Sequence, residues 1–303
     1  MTNLSKKSSL LNGEFSVHLL DLSIIADELL KKYLSFIKIE HTLFSLPMIY
    51  SGVFLASKEQ PSVQLLVFVL IAAIGARLVA MTLNRIIDRE IDRHNPRTLN
   101  RELPSGKMNL RQSYGVLIAG LVLYVVSAKM ISDFCFYLSP IPLVVFVVYP
   151  YLKRFTPLAH FGVGMGLAMG PLGGFFAVTG SAERFGESLL LPLFNLFWAT
   201  GFDIIYSTLD EGFDKKAGLY SFPSRFGKAR ALQISAMLHV LAFIVLIALV
   251  IISLKALIAL PFLLLSGFLL WLEQHKAEDV ELAFFKINIV VGVSILVMIL
   301  VSI

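Results

Sequence analysis

The sequence predicts an all-α, polytopic membrane protein, and three observations carry that reading. Apolar runs of about 18–25 residues, each long enough to cross a bilayer, recur down the chain. Charge is scarce: 57% of the 303 residues are hydrophobic and 16% are charged, against roughly 45–50% and about 25% in soluble domains. Basic residues gather in the connections between the runs, which is a topology signal.

About nine spans follow, at roughly 34–57, 63–91, 112–131, 134–152, 157–180, 188–209, 230–253, 256–273 and 281–302. Residues 1–32 read as an N-terminal tail or an interfacial amphipathic helix, because "HLLDLSIIADELLKKY" mixes leucines with polar residues. Residues 33–303 form the transmembrane domain. With the N-terminus cytoplasmic, only Lys58, Lys129, Arg184 and Lys255 fall in outer connections, and Lys38, Arg77 and Arg85 lie within spans. All other basic residues then face the cytoplasm, which fixes the orientation in a cell (inner) membrane. The net charge of +5 is therefore topological and does not point to nucleic acid. Cys135 is the sole cysteine, so a disulfide or a multi-thiolate metal site within the chain is excluded.

Two acidic clusters interrupt the apolar pattern. The second span ends in "TLNRIIDREIDRHNPRTLNRELPSGK", with Asn84, Asp88 and Asp92 four residues apart. Four residues advance by about 400° on a helix, so all three can face one cavity. The sixth span ends in "DIIYSTLDEGFD", where Asp203, Tyr206, Asp210 and Asp214 follow one face. Carboxylates at such spacing repel, so something compensates. Helix-end residues in water, paired with neighbouring arginines, are one solution. The other is Mg²⁺, which takes oxygen ligands and is held by a few carboxylates plus substrate phosphates. Asn84, Asp88, Asp92, Asp210 and Asp214 are the candidate ligands, and the absence of His and Cys argues against zinc. Arg97, Arg101, Lys107, Lys153 and Arg154 lie on the same face, the cations a diphosphate needs. Arg77, seven residues before Asn84 and about 10 Å deeper, reads either as the holder of an acceptor carboxylate or as a structural partner of Glu40. The glycines of "HFGVGMGLAMGPLGGFF" allow close helix packing, or open room for an apolar tail.

Four ordered motifs between about Phe36 and Gly227 resemble the UbiA superfamily of intramembrane prenyltransferases: "NRIIDREID", "RTLNRELPSG", "YPYLKRFT" and "DIIYSTLDEGFD". "RTLNRELPSG" is most similar to the 4-hydroxybenzoate polyprenyltransferase branch, and "FIKIEHTLFSLP" to relatives linked to menaquinone precursors. Lys38 stands where the family often has Arg, and Glu40-His41-Thr42 where it has Asp-Lys-Pro. The resemblance implies nine transmembrane helices around a cavity, two Asp-rich motifs binding Mg²⁺-diphosphate, and a lipid-side opening for the prenyl tail. It implies substrate-binding roles for Arg77, Asn84, Lys38, His41, Arg97, Arg101, Tyr149, Lys153 and Arg154, and catalytic ones for Asp88, Asp92, Asp203, Tyr206 and Asp210. Asp203 and Tyr206 would position or polarise the acceptor; Asp203 reads equally as a group that orients another ligand. The expected partners are a prenyl diphosphate donor, an aromatic acceptor (4-hydroxybenzoate-like or a naphthoate) or another small acceptor such as a glycerol phosphate lipid, and the bilayer. Two rivals remain. One is an ion-coupled transporter, whose sites tend to lie at the midplane. The other is a membrane alcohol phosphotransferase, whose Asp-Gly…Ala-Arg spacing is missing from the second span.

Overall fold

The computed structural model describes residue 28, residues 31–38 and residues 42–303. The expected tail or interfacial helix, His41 and Glu40 thus fall largely or wholly outside the described residues. Two compact units divide between Ile39 and Glu40. In the first, residues 31–37 are helical and Lys38 closes the turn at φ +51°.

The second unit is helical throughout, and no strand occurs among the described residues. Its principal helices are α1 (Thr42–Ala56), α2 (Val63–Ile87), α3 (Arg89–His94), α4 (Leu110–Ile131), α5 (Asp133–Leu138), α6 (Pro140–Leu152), α7 (Ala159–Thr179) and α8 (Leu190–Ser207). They continue as α9 (Glu211–Ala217), α10 (Phe222–Phe226), α11 (Lys228–Leu249), α12 (Leu260–His275) and α13 (Asn288–Leu300). Eight stretches among the described residues are long and apolar enough to span a membrane, and Ser45–Ala56 is a shorter apolar helix. A polytopic membrane fold is therefore what this unit shows; the first expected span, 34–57, is divided, its residues 34–38 belonging to the first unit and its remainder described in the second from Thr42.

Helices α1, α7, α8, α11, α12 and α13 pack in succession, with α13 returning against α1; α2 packs between α4 and α6, and α6 reaches α7. Small residues decide how closely these helices cross. A Cβ on Gly52 would lie 2.0 Å from the Pro171 carbonyl oxygen, and one on Gly174 would lie 2.1 Å from that of Ile49. The α1 and α7 backbones are thus in direct contact, the arrangement small residues make possible in lipid. Close packing, rather than room for a tail, is the role of Gly174. Gly174→Val is expected to lower the Tm in detergent, at a cost of about 1–3 kcal/mol for overpacking. Gly173→Ala is the control, because its added Cβ meets nothing within 4 Å. Equal Tm values for the two variants would refute this account of the crossing.

Polar side chains repair the breaks in helical bonding. Pro171 has no N–H for the Leu167 carbonyl one turn back, and Asn195 of α8 supplies a donor at 2.7 Å. Before α13 the chain widens into a π-turn, Leu282–Ile287. Asn288 Nδ2 donates to the Phe284 and Ala283 carbonyls at 2.9 and 3.2 Å, and Trp198 Nε1 donates to Asn288 Oδ1 at 2.7 Å. In an apolar medium such groups must be met internally. The π-turn brings Phe284 against the Tyr206 ring, with centroids 4.3 Å apart.

Candidate active site

Helices α2, α6 and α8 all arrive at one end of the bundle, and their ends carry the two acidic motifs and the basic connection between them. Neither acidic motif continues its helix unbroken. Helix α2 stops at Ile87; Asp88 takes φ −93° and ψ 2°, and α3 restarts at Arg89. Beyond Ser207, α8 tightens into a 3₁₀ turn, Thr208–Asp210, before α9. A 3₁₀ turn rotates by about 120° per residue instead of 100°, so the carboxylates leave the single stripe of a straight helix.

Each carboxylate acquires its own partners. Asp88, with a side chain 4% exposed, meets Lys153 Nζ at 2.6 Å and Arg154 Nη2 at 3.5 Å. Asn84 Nδ2 donates to its Oδ2 at 3.2 Å. Burial pushes the Asp88 carboxyl up from its ordinary value, against the pull of Lys153. Asp92 accepts from Arg101 Nη1 through both oxygens, at 3.0 and 2.8 Å. Asp210 is gripped by Arg97, whose Nε and Nη2 reach its two oxygens, and by Asn95 Nδ2 at 2.8 Å. Arg97 also donates to the Tyr206 hydroxyl at 2.7 Å. Burial works against its charge, but Asp210 and Tyr206 outweigh it and hold the guanidinium above its ordinary value. Asp214 accepts from Ser221 Oγ at 2.8 Å.

These pairs knit the motifs together. Asn95 and Arg97 follow the first motif in sequence yet bind the second. Lys153 acts on both Asp88 and Asp214, and Arg101 on both Asp92 and Asp210. Tyr149 of α6 lies within hydrogen-bonding reach of Asn84 and in the field of Arg77, Asp88 and Asp203. Arg85 and Glu102 form a buried pair at 3.6 Å beneath the connection. Asn84, Asp88, Asp92, Arg97, Arg101, Tyr149, Lys153, Arg154, Tyr206, Asp210 and Asp214 are therefore gathered at this end, with Arg77 and Asp203 near Tyr149; Lys107, expected among the diphosphate cations, is exposed and enters none of these pairs. Lys38 belongs to the other unit, and His41 lies outside the described residues.

Three participants were not singled out from sequence. Asn95 and Glu102 lay unremarked inside the quoted connection. His160, in the first turn of α7, pairs with Asp203 at 2.7 Å. An ionisable residue at the start of an apolar span was the available signal; only the glycines of that span drew notice.

Among the described residues, no three His, Cys, Asp or Glu side chains converge into a ready metal cage. The donor set nevertheless suits a hard cation. It consists of carboxylate and amide oxygens, and buried Asp88 Oδ1 takes no hydrogen bond among the described residues, with only Arg154 Nη2 facing it at 3.5 Å. Mg²⁺ dispenses with an all-protein cage when substrate phosphates complete its shell.

A model of the UbiA prenyltransferase family matches residues 45–290. A 4-hydroxybenzoate octaprenyltransferase of Legionella pneumophila (strain Paris) is 29% identical over 187 residues, which make up 62% of this chain and 66% of that protein. The chain thus matches just under two thirds of that relative's length. The apo structure of a UbiA homolog from Aeropyrum pernix K1 has a TM-score of 0.80 and 34% identity, covering 87% of this chain and 98% of its own. A UbiA homolog from Archaeoglobus fulgidus, bound to DMAPP and Mg²⁺, has a TM-score of 0.70 with 90% and 100% covered. At 19% identity that second likeness is one of fold.

Proposed function

Because the chain belongs to the UbiA prenyltransferase family, we propose that it transfers a prenyl group from a prenyl diphosphate to an aromatic acid in quinone biosynthesis, with Mg²⁺. The observation that carries this reading is the weave of two carboxylate-bearing helix ends with Lys153, Arg154, Arg97 and Arg101 at one end of a membrane bundle. A diphosphate with its metal ions presents both signs of charge. A site offering carboxylates and forked cations side by side is complementary to both. The named relative acts on 4-hydroxybenzoate, and a related fold holds DMAPP with Mg²⁺; both support the substrate class. We assign the site end to the cytoplasmic face of a cell membrane, on the distribution of basic residues.

Asn84, Asp88, Asp92, Asp210 and Asp214 are the residues that would hold the metal. Bound there, Mg²⁺ supplies Lewis-acid stabilisation of the charge that grows on the leaving diphosphate. Lys153, Arg154 and Arg101 bind the same phosphate oxygens and are preorganised by their carboxylate pairs. As the allylic C–O bond breaks, the diphosphate takes the bonding electrons and the prenyl carbon is attacked by the acceptor ring. Arg77, close to Tyr149 and one side of the Asp88 cluster, orients the acceptor through its carboxylate. Lys38 and His41 retain their proposed substrate-binding roles.

The test uses purified full-length protein, Mg²⁺ and radiolabelled geranyl diphosphate. The acceptor panel is 4-hydroxybenzoate, a dihydroxynaphthoate and a glycerol phosphate lipid. Mg²⁺-dependent labelling of an aromatic acid, without any membrane gradient, is the expected result. Arg77→Ala is expected to raise the KM for that acid by about 10–100-fold, the scale of a lost charged hydrogen bond, and to leave the donor KM within about twofold. Labelling of the lipid alone would overturn the aromatic assignment, and equal loss of both KM values would remove Arg77 from the acceptor.

A further inference from the structure

Helix α8 carries three aromatic rings one turn apart, Trp198, Phe202 and Tyr206, and all three meet the π-turn and Asn288, which follows it. Trp198 Nε1 donates to Asn288 Oδ1 at 2.7 Å. The Phe202 and Phe284 rings lie edge to face, with centroids 5.4 Å apart. The Tyr206 and Phe284 ring centroids are 4.3 Å apart, with the planes inclined by 31°. Tyr206 is the ring that reaches the site, where its hydroxyl accepts from Arg97 Nη1 at 2.7 Å. Ring pairs at these distances are directional contacts, so the place of Phe284 decides how Tyr206 is held.

The place of Phe284 is set in turn by Asn288. In an unbroken α-helix the Asn288 backbone N–H would bond the Phe284 carbonyl; here it bonds that of Phe285. The side chain makes good the loss, because Asn288 Nδ2 donates to the Phe284 carbonyl at 2.9 Å and to that of Ala283 at 3.2 Å. An indole N–H can only donate, so Trp198 fixes Oδ1 toward α8 and leaves Nδ2 for the carbonyls. Glu273 of α12 steadies the amide as well, its Oε1 accepting from Nδ2 at 3.1 Å. The other Glu273 oxygen lies 3.8 Å from His239 Nδ1 of α11. Asn288 and Glu273 are fully buried. An ionisable side chain so enclosed within a span is costly and marks function, and π-turns likewise gather at functional sites.

We infer that Asn288 is a positioning residue for prenyl transfer: it clasps the π-turn so that Phe284 is pressed on Tyr206, and thereby sets the Tyr206 hydroxyl for the acceptor. The inference rests on the proposed transfer to an aromatic acid, in which Tyr206 positions that acid. The contacts run without a gap from α12 to the site, through Glu273, Asn288, the Phe284 carbonyl, the Phe284 ring, Tyr206 and Arg97. Asp210 stays gripped by Arg97 and Asn95 whatever Tyr206 does. A shift of Tyr206 therefore disturbs the acceptor more than the diphosphate. Misplacing a positioning group by about 1 Å, through a change far from the chemistry, costs on the order of 10²-fold.

The experiment is a double-mutant cycle on the full-length protein with Mg²⁺, geranyl diphosphate and 4-hydroxybenzoate, run below the lowest Tm of the set. Rates are expressed per mole of protein that binds geranyl diphosphate, so misfolded material does not count. Phe284→Leu keeps the apolar bulk and removes the ring from Tyr206. It is expected to lower kcat/KM for the acceptor by about 10–100-fold and to leave the donor KM within about threefold of wild type. Asn288→Ala is expected to show the same split between the two substrates. The double variant is expected to lie within about twofold of the more impaired single one, because Asn288 acts through the ring that Phe284→Leu has already removed; effects of independent sites would multiply instead. If Asn288→Ala does not fold, Trp198→Phe, which removes only the N–H that orients the amide and part of a ring, takes its place in the cycle with the same non-multiplying result expected. Effects that multiply would overturn the inference, as would wild-type acceptor kinetics in Phe284→Leu or a donor KM that rises as far as the acceptor KM. Those results leave wild-type transfer, and with it the proposed function, intact. If the wild-type protein labels the glycerol phosphate lipid alone, the aromatic reading falls, and the same cycle run on the lipid decides the role of Asn288.

Discussion

Asp88→Asn is expected to lower kcat/KM for prenyl transfer by at least about 10³-fold, the upper range for removing one group that stabilises developing charge. The size follows from what the carboxylate does locally. It is nearly enclosed and is shared by Lys153 at 2.6 Å, Arg154 at 3.5 Å and Asn84 at 3.2 Å. Asparagine keeps the volume, so the turn between α2 and α3 survives. It cannot balance two cations, and it replaces a charged oxygen ligand with a weakly donating amide oxygen. Breaking a buried ion pair by removing one partner costs roughly 3–5 kcal/mol of stability, so the Tm also falls, and measurement below that Tm separates the two effects. Asp133→Asn is the control. Asp133 is exposed, pairs with Lys129, and lies at the far end of α4 from the site, so its loss is expected to change transfer by less than about twofold, as for exposed pairs generally. A radiolabelled transfer assay across a Mg²⁺ titration provides the measurement. If Asp88→Asn keeps a tenth of the activity with an unchanged Mg²⁺ midpoint, the metal assignment of Asp88 is wrong.

The spans were legible because lipid imposes a single demand, that every backbone group be bonded inside its own helix. Long apolar runs satisfy it, and among the described residues eight stretches long and apolar enough to cross a membrane stand where the hydropathy put them. What hydropathy does not record is where that bonding fails. The breaks are the stop at Asp88, the 3₁₀ turn at Thr208–Asp210 and the π-turn at Leu282–Ile287. Arg154 meets the Ile87 carbonyl at the first, and Asn288, itself held by Trp198 of α8, meets carbonyls of the last; neither role is visible until the helices have packed. The acidic motifs were legible as motifs because charge at the end of an apolar run is costly and therefore conspicuous. Their pairing was not. A straight helix puts Asp203 and Asp210 on one face, yet the first binds His160 and the second binds Arg97. The identity of each partner depends on which connection folds over which helix end, and periodicity contains no such information. Gly174 was legible in kind, since small residues in spans serve close crossings, but not which of its glycine neighbours would face open space.

Arg97→Ala is expected to lower kcat/KM for the donor by about 10²–10³-fold, the scale of one lost stabiliser of leaving-group charge. Arg97 spans the two motifs. Its backbone N–H is held by Asn95 Oδ1 at 2.9 Å, in the connection that follows the first motif. Its guanidinium engages both oxygens of Asp210 and the Tyr206 hydroxyl in the second, and lies 4.9 Å from the Tyr206 ring centre. That geometry creates a competition. If Asp210 is to hold a metal ion, the guanidinium must give up at least one carboxylate oxygen, and the diphosphate arriving with the metal offers oxygens of the same geometry. Exchange of one forked partner for another keeps the guanidinium bonded throughout, so it adds little to the barrier. Alanine removes the exchange and leaves Asp210 with the Asn95 hydrogen bond and the more distant charge of Arg101. Lysine restores the charge but not the fork. It cannot bond two carboxylate oxygens and the tyrosine together, so Arg97→Lys is expected to recover less than about tenfold of the loss, a share worth roughly 1.4 kcal/mol. The acceptor KM is expected to change less than the donor KM: Arg97 holds Tyr206, read as an acceptor-positioning residue, through one hydrogen bond but engages both oxygens of Asp210. Donor and acceptor KM values measured for the three proteins decide the matter: full rescue by lysine would reduce Arg97 to a point charge, and a rise confined to the acceptor KM would move it to the other substrate.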